Sequence, residues 1–153
     1  MNVSHFNHLR NYVKRAGIIP YMIHNQETYV LLGWSKEDNP VWADLGGRSE
    51  KDESVIETAL REFGEESRHV LSIDLSRVGK VLITHTRTQV DSVIFFVNVD
   101  PTEKNININS DFQKTVPKNQ YEDEMSYLQW IPYNTFLTLN NVSSSLNKVR
   151  KLL

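Results

Sequence analysis

The chain has 153 residues, 39% hydrophobic and 24% charged, with a net charge of −2; that length suits one well-packed domain, so a single domain over residues 1–153 is expected. Without a cysteine, disulfides, thiolate zinc sites and a cysteine nucleophile are excluded. The near-neutral charge argues against a surface built for general nucleic-acid binding, and the longest apolar runs, such as Val93 to Val97, are too short to span a bilayer.

The opening MNVSHFNHLRNYVKR has no apolar core of signal-peptide type, so a soluble, cytoplasmic protein with no membrane partner is expected. Residues 1 to 15 read as a short helix or arm carrying Arg10, Lys14 and Arg15, either a solvated start to the domain or an element that steers phosphate. Ile18 to Ile23 and Thr28 to Trp34, rich in branched and aromatic residues and separated by the polar HNQE, predict a β-hairpin. A polar loop over Ser35 to Asn39 follows, flanked by Trp34 and Trp42. Such tryptophans either pack or stack on a planar part of a ligand.

The stretch Gly46 to Glu66, GGRSEKDESVIETALREFGEE, carries the chemistry. From Ser54 to Glu66, Ile56, Ala59, Leu60 and Phe63 recur at the spacing of an amphipathic helix, so one face is buried. Glu62, Glu65 and Glu66 then fall within roughly a third of the circumference, on one exposed edge. Like charges three and four residues apart repel by a few tenths of a kcal/mol per pair, and a divalent cation would relieve them. Hard oxygen ligands suit Mg²⁺ or Mn²⁺, with water and substrate phosphate completing the octahedron. Glu62 and Glu66, one turn apart, are the best-placed ligand pair. The Gly46 carbonyl is a possible further ligand, since paired glycines allow close approach of the backbone. The simpler alternative is a solvated helix face preceded by an ordinary strand-to-loop turn.

Beyond this helix, Val78 to Thr86 and Val90 to Val99 predict a second hairpin, with His85 and Arg87 near its turn as phosphate contacts or plain surface residues. Residues 100 to 120 are polar, with NININ at most a weak edge strand, and read as a variable loop that can carry specificity. Met125 to Ile131 predicts a strand closed by Pro132. Helical spacing at Phe136, Leu137 and Leu139 and a basic amphipathic helix around Leu146 to Leu153 complete the chain. Strands and helices interleave around one central helix, implying an α/β/α sandwich with a mixed β-sheet.

Gly47, Glu53, Arg61, Glu62, Glu65 and Glu66, at fixed spacing, resemble the signature of the Nudix hydrolases. With each residue type at roughly 6%, six such identities arise by chance in about one chain of this length in 10⁵. The resemblance lapses after Glu66, where Ser67, Arg68 and His69 replace a variable residue, a glycine and an apolar residue, leaving the helix without its usual left-handed glycine cap.

The resemblance implies the same sandwich and attack of water on a nucleoside diphosphate joined to another group. A nucleotide, a dinucleoside polyphosphate or a nucleotide sugar would be the substrate. An mRNA cap or diphosphoinositol polyphosphate is the alternative, and a catalytically silent nucleotide-binding module the alternative of another class. It further implies that Arg61 and Glu53 orient the glutamates. Glu65 is the candidate base, or a further ligand, and Glu124 in YEDEMSYLQWIP is a late acid able to bind metal or replace it, with Glu122 as the alternative. Arg48, Trp42, His85 and Arg87 are the substrate-contact candidates.

Overall fold

The computed structural model describes Val3 and residues 13–153; most of the expected N-terminal arm lies outside the described residues. Residues 13 to 15 are not part of an arm but open strand β1 (Val13–His24), which turns through Asn25 and Gln26 into β2 (Glu27–Ser35). Both turn residues are left-handed, at φ 50° and 66°. Two consecutive left-handed residues make the hairpin turn whose twist matches that of the strands.

Two short strands follow, β3 (Trp42–Ala43) and β4 (Leu45–Arg48), so the glycine pair lies within a strand rather than in a turn. β4 runs antiparallel along the first half of β1, from Arg15 opposite Arg48 to Ile18 opposite Leu45, while β2 pairs with its second half. Beyond helix α1 (Val55–Glu66), β5 (Val78–His85) and β6 (Val90–Asn98) form the second hairpin, and β6 pairs in parallel with β1.

Residues 100 to 120 correct the sequence reading. They form helices α2 (Glu103–Ile106) and α3 (Ile108–Lys114), with no strand at NININ. Thr102 caps α2 by accepting from Asn105 N, and Ile108 and Phe112, one turn apart, drive α3 into the core. β7 (Met125–Pro132) pairs with β2, and α4 (Tyr133–Thr138) and α5 (Ser144–Arg150) close the described chain. The last helix is shorter than expected, and Leu152 and Leu153 are exposed beyond it.

The sheet runs β3-β2-β1-β6-β5, with β4 added to β1 and β7 to β2; the β1–β6 pair is parallel and the other strand pairs are antiparallel. On one face Ile18, Val93 and Phe95 pack against Ala59 and Phe63 of α1 and Phe112 of α3. On the other, Ile19, Ile94 and Phe96 meet Phe136 of α4 and Leu146 and Val149 of α5. This is the expected α/β/α sandwich with a mixed sheet. Among the described residues no helix is long and apolar enough to cross a membrane.

Helix α1 starts in a reciprocal cap: Ser54 Oγ accepts from Glu57 N at 3.1 Å, and Glu57 Oε1 accepts from Ser54 N at 3.0 Å. Its buried stripe differs from the sequence reading, because Thr58 and Glu66 are buried while Leu60 is 41% exposed. At its far end Arg68 and His69 take the left-handed conformation without glycine, at φ 54° and 58°, and their amides donate to Glu65 O and Gly64 O. The arginine compensates for the backbone cost. Its buried guanidinium lies 4.0 Å from the Phe112 ring centroid and donates to the carbonyls of Glu122, Phe112 and Thr115. His69 folds back over Gly64, where an added Cβ would meet its ring at 2.9 Å, which explains a glycine inside the helix.

Candidate active site

Arg61 is the hub of the helix edge. Its Nε and Nη2 grip both oxygens of Glu53 at 2.6 and 3.1 Å, its Nη1 donates to Glu62 Oε1 at 2.9 Å and Glu65 Oε2 at 3.3 Å, and its Nη2 also donates to Arg48 O at 2.9 Å. Glu53 also accepts from Thr58 Oγ1 at 2.7 Å and Glu50 N at 3.0 Å. Chiefly through the Arg61 hydrogen bonds, its carboxyl is pulled down to about 2. The ion pair is therefore fixed across ordinary pH.

The glutamates do not share an exposed edge, as the helical projection predicted. Glu62 is mostly buried beneath Gly47, and burial raises its pKa despite Arg61. Glu66 is 4% exposed and its Oε2 has no hydrogen-bond partner among the described residues. Burial first, then the nearby carboxylates of Asp44, Glu62 and Glu124, push its pKa well above the usual range. The reason is the packing of α1 against β1 and β4.

β4 pairs with the first half of β1 and β2 with the second, and beside them lies an open cleft of about 590 Å³ whose lining includes Arg15, Asp44, Gly46, Glu66, Glu124 and Ser145. The glycines fit this geometry by their lack of a side chain. A Cβ on Gly47 would lie 2.5 Å from Glu62 Oε2, and one on Gly46 would lie 2.6 Å from Gly17 Cα. Among the described residues no three Asp, Glu or His side chains converge on one metal-sized point. The donor set nonetheless suits a hard cation, since a buried carboxylate with an unpartnered oxygen needs a positive charge and Arg61 is committed to three other glutamates.

The NUDIX domain model matches residues 12–152. The chain belongs to the Nudix family. Comparison with curated proteins returned no match. Among solved structures, the Caenorhabditis elegans Ap4A hydrolase in a binary complex is similar at 14% identity and a TM-score of 0.57, over 92% of this chain and 94% of that one. The Nudix domain of Shewanella oneidensis NrtR, complexed with ADP ribose, is similar at 14% identity and a TM-score of 0.55, over 92% and 85%. The MutT protein of Methanosarcina mazei Go1, at 14% identity and a TM-score of 0.57, covers 92% and 91%. At these identities the likeness is one of fold.

The structure brings Glu53, Arg61, Glu62, Glu65 and Glu66 together along α1, and Glu124 joins them from across the cleft. Glu122, the alternative late acid, is instead buried and accepts from Lys118 N. Arg48 is exposed and lends its carbonyl to Arg61. The Trp42 ring packs 4.9 Å from Trp34 and 5.7 Å from Tyr127, outside the cleft lining. His85 and Arg87 are exposed at the β5–β6 turn, also outside it.

Two site residues escaped the sequence reading. Asp44 is 2% exposed, with one oxygen bonded by Arg15 Nη2 at 3.0 Å and the other without a hydrogen-bond partner among the described residues. Arg15, read as part of an arm either solvated or steering phosphate, lines the cleft, where its Nη1 also donates to Ser145 Oγ at 2.8 Å. Burial alone would lower its pKa, and the carboxylates around it, Asp44 foremost and then Glu66 and Glu62, more than reverse that. The available signal was a lone acid between Ala43 and Leu45 in an otherwise apolar run leading to the glycine pair.

Proposed function

We propose that this Nudix protein is a divalent-metal-dependent pyrophosphohydrolase that cleaves the diphosphate joining a nucleoside to another group. The single observation that carries this is Glu66, buried one turn from Glu62 with an oxygen that has no hydrogen-bond partner among the described residues, in a cleft it shares with Glu124. Glu62 and Glu66, with the Gly46 carbonyl, would hold Mg²⁺ or Mn²⁺, and the ion when bound polarises the phosphoryl group and offsets its charge. Arg61, locked to Glu53, fixes the positions of Glu62 and Glu65. Glu65 takes the proton of the attacking water, and Glu124 is the auxiliary acid.

The substrate is a small nucleotide such as a dinucleoside polyphosphate or a nucleotide sugar. A polar cleft of this volume suits a nucleotide, and the Ap4A hydrolase and ADP-ribose complex among the similar folds support that class. A net charge of −2 supports it over capped RNA. Of the four substrate-contact candidates, Arg48 beside the Arg61 hub is the one favoured for phosphate.

The test is a panel of nucleoside diphosphate compounds incubated with the parent protein and with Glu66→Gln in Mg²⁺, the products being resolved. The parent should yield two phosphorylated products, and Glu66→Gln should lose most of the rate. Folded parent protein that binds nucleotide but cuts no member of the panel would instead identify a sensing module.

A further inference from the structure

Two buried carboxylates of the cleft each have an oxygen without a hydrogen-bond partner among the described residues: Asp44 Oδ1 and Glu66 Oε2. The two groups line the same cleft, together with Arg15 and Gly46. Their charges are unbalanced. Among the described residues Arg15 bonds the other oxygen of Asp44, at 3.0 Å, while Arg61 is occupied by Glu53, Glu62 and Glu65. One arginine thus faces two buried carboxylates, and a buried charge left without a partner is costly enough to demand compensation.

The local backbone is shaped to keep Asp44 there. Gly17 and Gly46 face each other across β1 and β4, and a Cβ on either would collide with Asp44 Oδ2. Both glycines therefore clear the space through which this side chain reaches Arg15.

We propose that Asp44, which lies outside the Gly47 to Glu66 signature, is a carboxylate ligand with Glu66 of a hard divalent cation at the floor of the cleft. This rests on the reading of Glu66 as a metal ligand, and the experiment separates the two claims. Arg15 holds the Asp44 carboxylate by one oxygen and leaves the other for the ion, the orienting arrangement usual around metal ligands.

Mn²⁺ is titrated into chelator-stripped parent, Asp44→Asn and Glu66→Gln proteins without substrate, and bound ion is read by the loss of the free Mn²⁺ resonance. Asparagine keeps a carbonyl oxygen for Arg15 and places an amide where Oδ1 stood, so a donor replaces the ligand. Asp44→Asn should weaken Mn²⁺ binding at least tenfold or remove one ion per chain, as Glu66→Gln does. Asp44→Asn binding like the parent while Glu66→Gln does not would overturn the role of Asp44 alone. Binding unaffected in both variants would overturn the metal reading of Glu66 as well. Should Asp44→Asn not fold, parent crystals soaked in Mn²⁺ decide: an anomalous peak within about 2.5 Å of Asp44 Oδ1 supports the proposal, and a peak at Glu66 that leaves Asp44 uncontacted refutes it.

Discussion

Gly47→Ala isolates the cost of moving one carboxylate. The methyl group would stand 2.5 and 2.6 Å from the two oxygens of Glu62, against an ordinary contact of at least 3.4 Å. The Glu62 carboxylate must therefore retreat by about 1 Å. Because that group is the end of a flexible side chain, the fold can absorb the change, and alanine in a strand offsets part of it by about 0.5–1 kcal/mol relative to glycine. A misplacement of about 1 Å at a reacting centre costs about 10²-fold in rate. Gly47→Ala should thus melt within a few degrees of the parent and lose about two orders of magnitude in kcat, with weaker Mg²⁺ affinity.

Its neighbour behaves differently. A methyl on Gly46 meets the backbone of β1, at 2.6 Å from Gly17 Cα and 2.7 Å from Ala16 O, so Gly46→Ala should destabilise the fold by about 1–3 kcal/mol. Steady-state rates and thermal melts of both variants make the comparison. Gly47→Ala with parental activity and metal affinity would refute the contact between glycine and glutamate as the reason for this residue.

Arg61→Ala should remain folded yet lose kcat as Glu62 and Glu65 lose their shared donor; rate, metal affinity and melting measured together test it, and parental activity in a folded variant contradicts it. Glu65→Gln should lower kcat by about 10² to 10⁴-fold, a loss that added Mg²⁺ does not recover, whereas Glu124→Gln should cost less. A large metal-insensitive loss in Glu124→Gln would exchange the two roles. Glu53 is depressed to about 2, so its contribution to stability is complete above the unfolded value near 4.5 and is lost as pH falls towards 2. Melting curves from pH 7 to 2 should show a steeper acid decline in the parent than in Glu53→Gln. Arg68→Met should cost about 3–5 kcal/mol in urea unfolding, because three carbonyls and Asp123 lose a buried charged partner.

Much of the site was legible because its residues are close in sequence. Ser54, Glu57 and the spacing of Ala59 and Phe63 define α1, and helical geometry alone brings Arg61, Glu62 and Glu65 together. What periodicity could not supply was the environment of each face. Glu66 projects from the same edge as Glu65 yet ends up buried, and Leu60 ends up exposed, because the sheet covers one flank of the helix further than the other.

Long-range pairing hid the rest. Arg15 and Asp44 are 29 residues apart and meet because Asp44 reaches over the paired Gly17 and Gly46 of β1 and β4, which no local pattern announces. Helices α2 and α3 were missed for a different reason: asparagine and isoleucine are weak helix formers, and the Thr102 cap, with Ile108 and Phe112 entering the core, overrides that preference. The missing glycine after Glu66 is offset in the same way, by an Arg68 whose bonds come from residues 112 to 123.

The most direct test of metal-dependent diphosphate hydrolysis is turnover of a dinucleoside polyphosphate and a nucleotide sugar in H₂¹⁸O, with Mg²⁺ and with excess chelator. Mass spectra should show one ¹⁸O in one of the two phosphorylated products, formed with Mg²⁺, abolished by the chelator and restored on adding metal back. Undiminished turnover in excess chelator, or products carrying no ¹⁸O on phosphorus, would contradict the account.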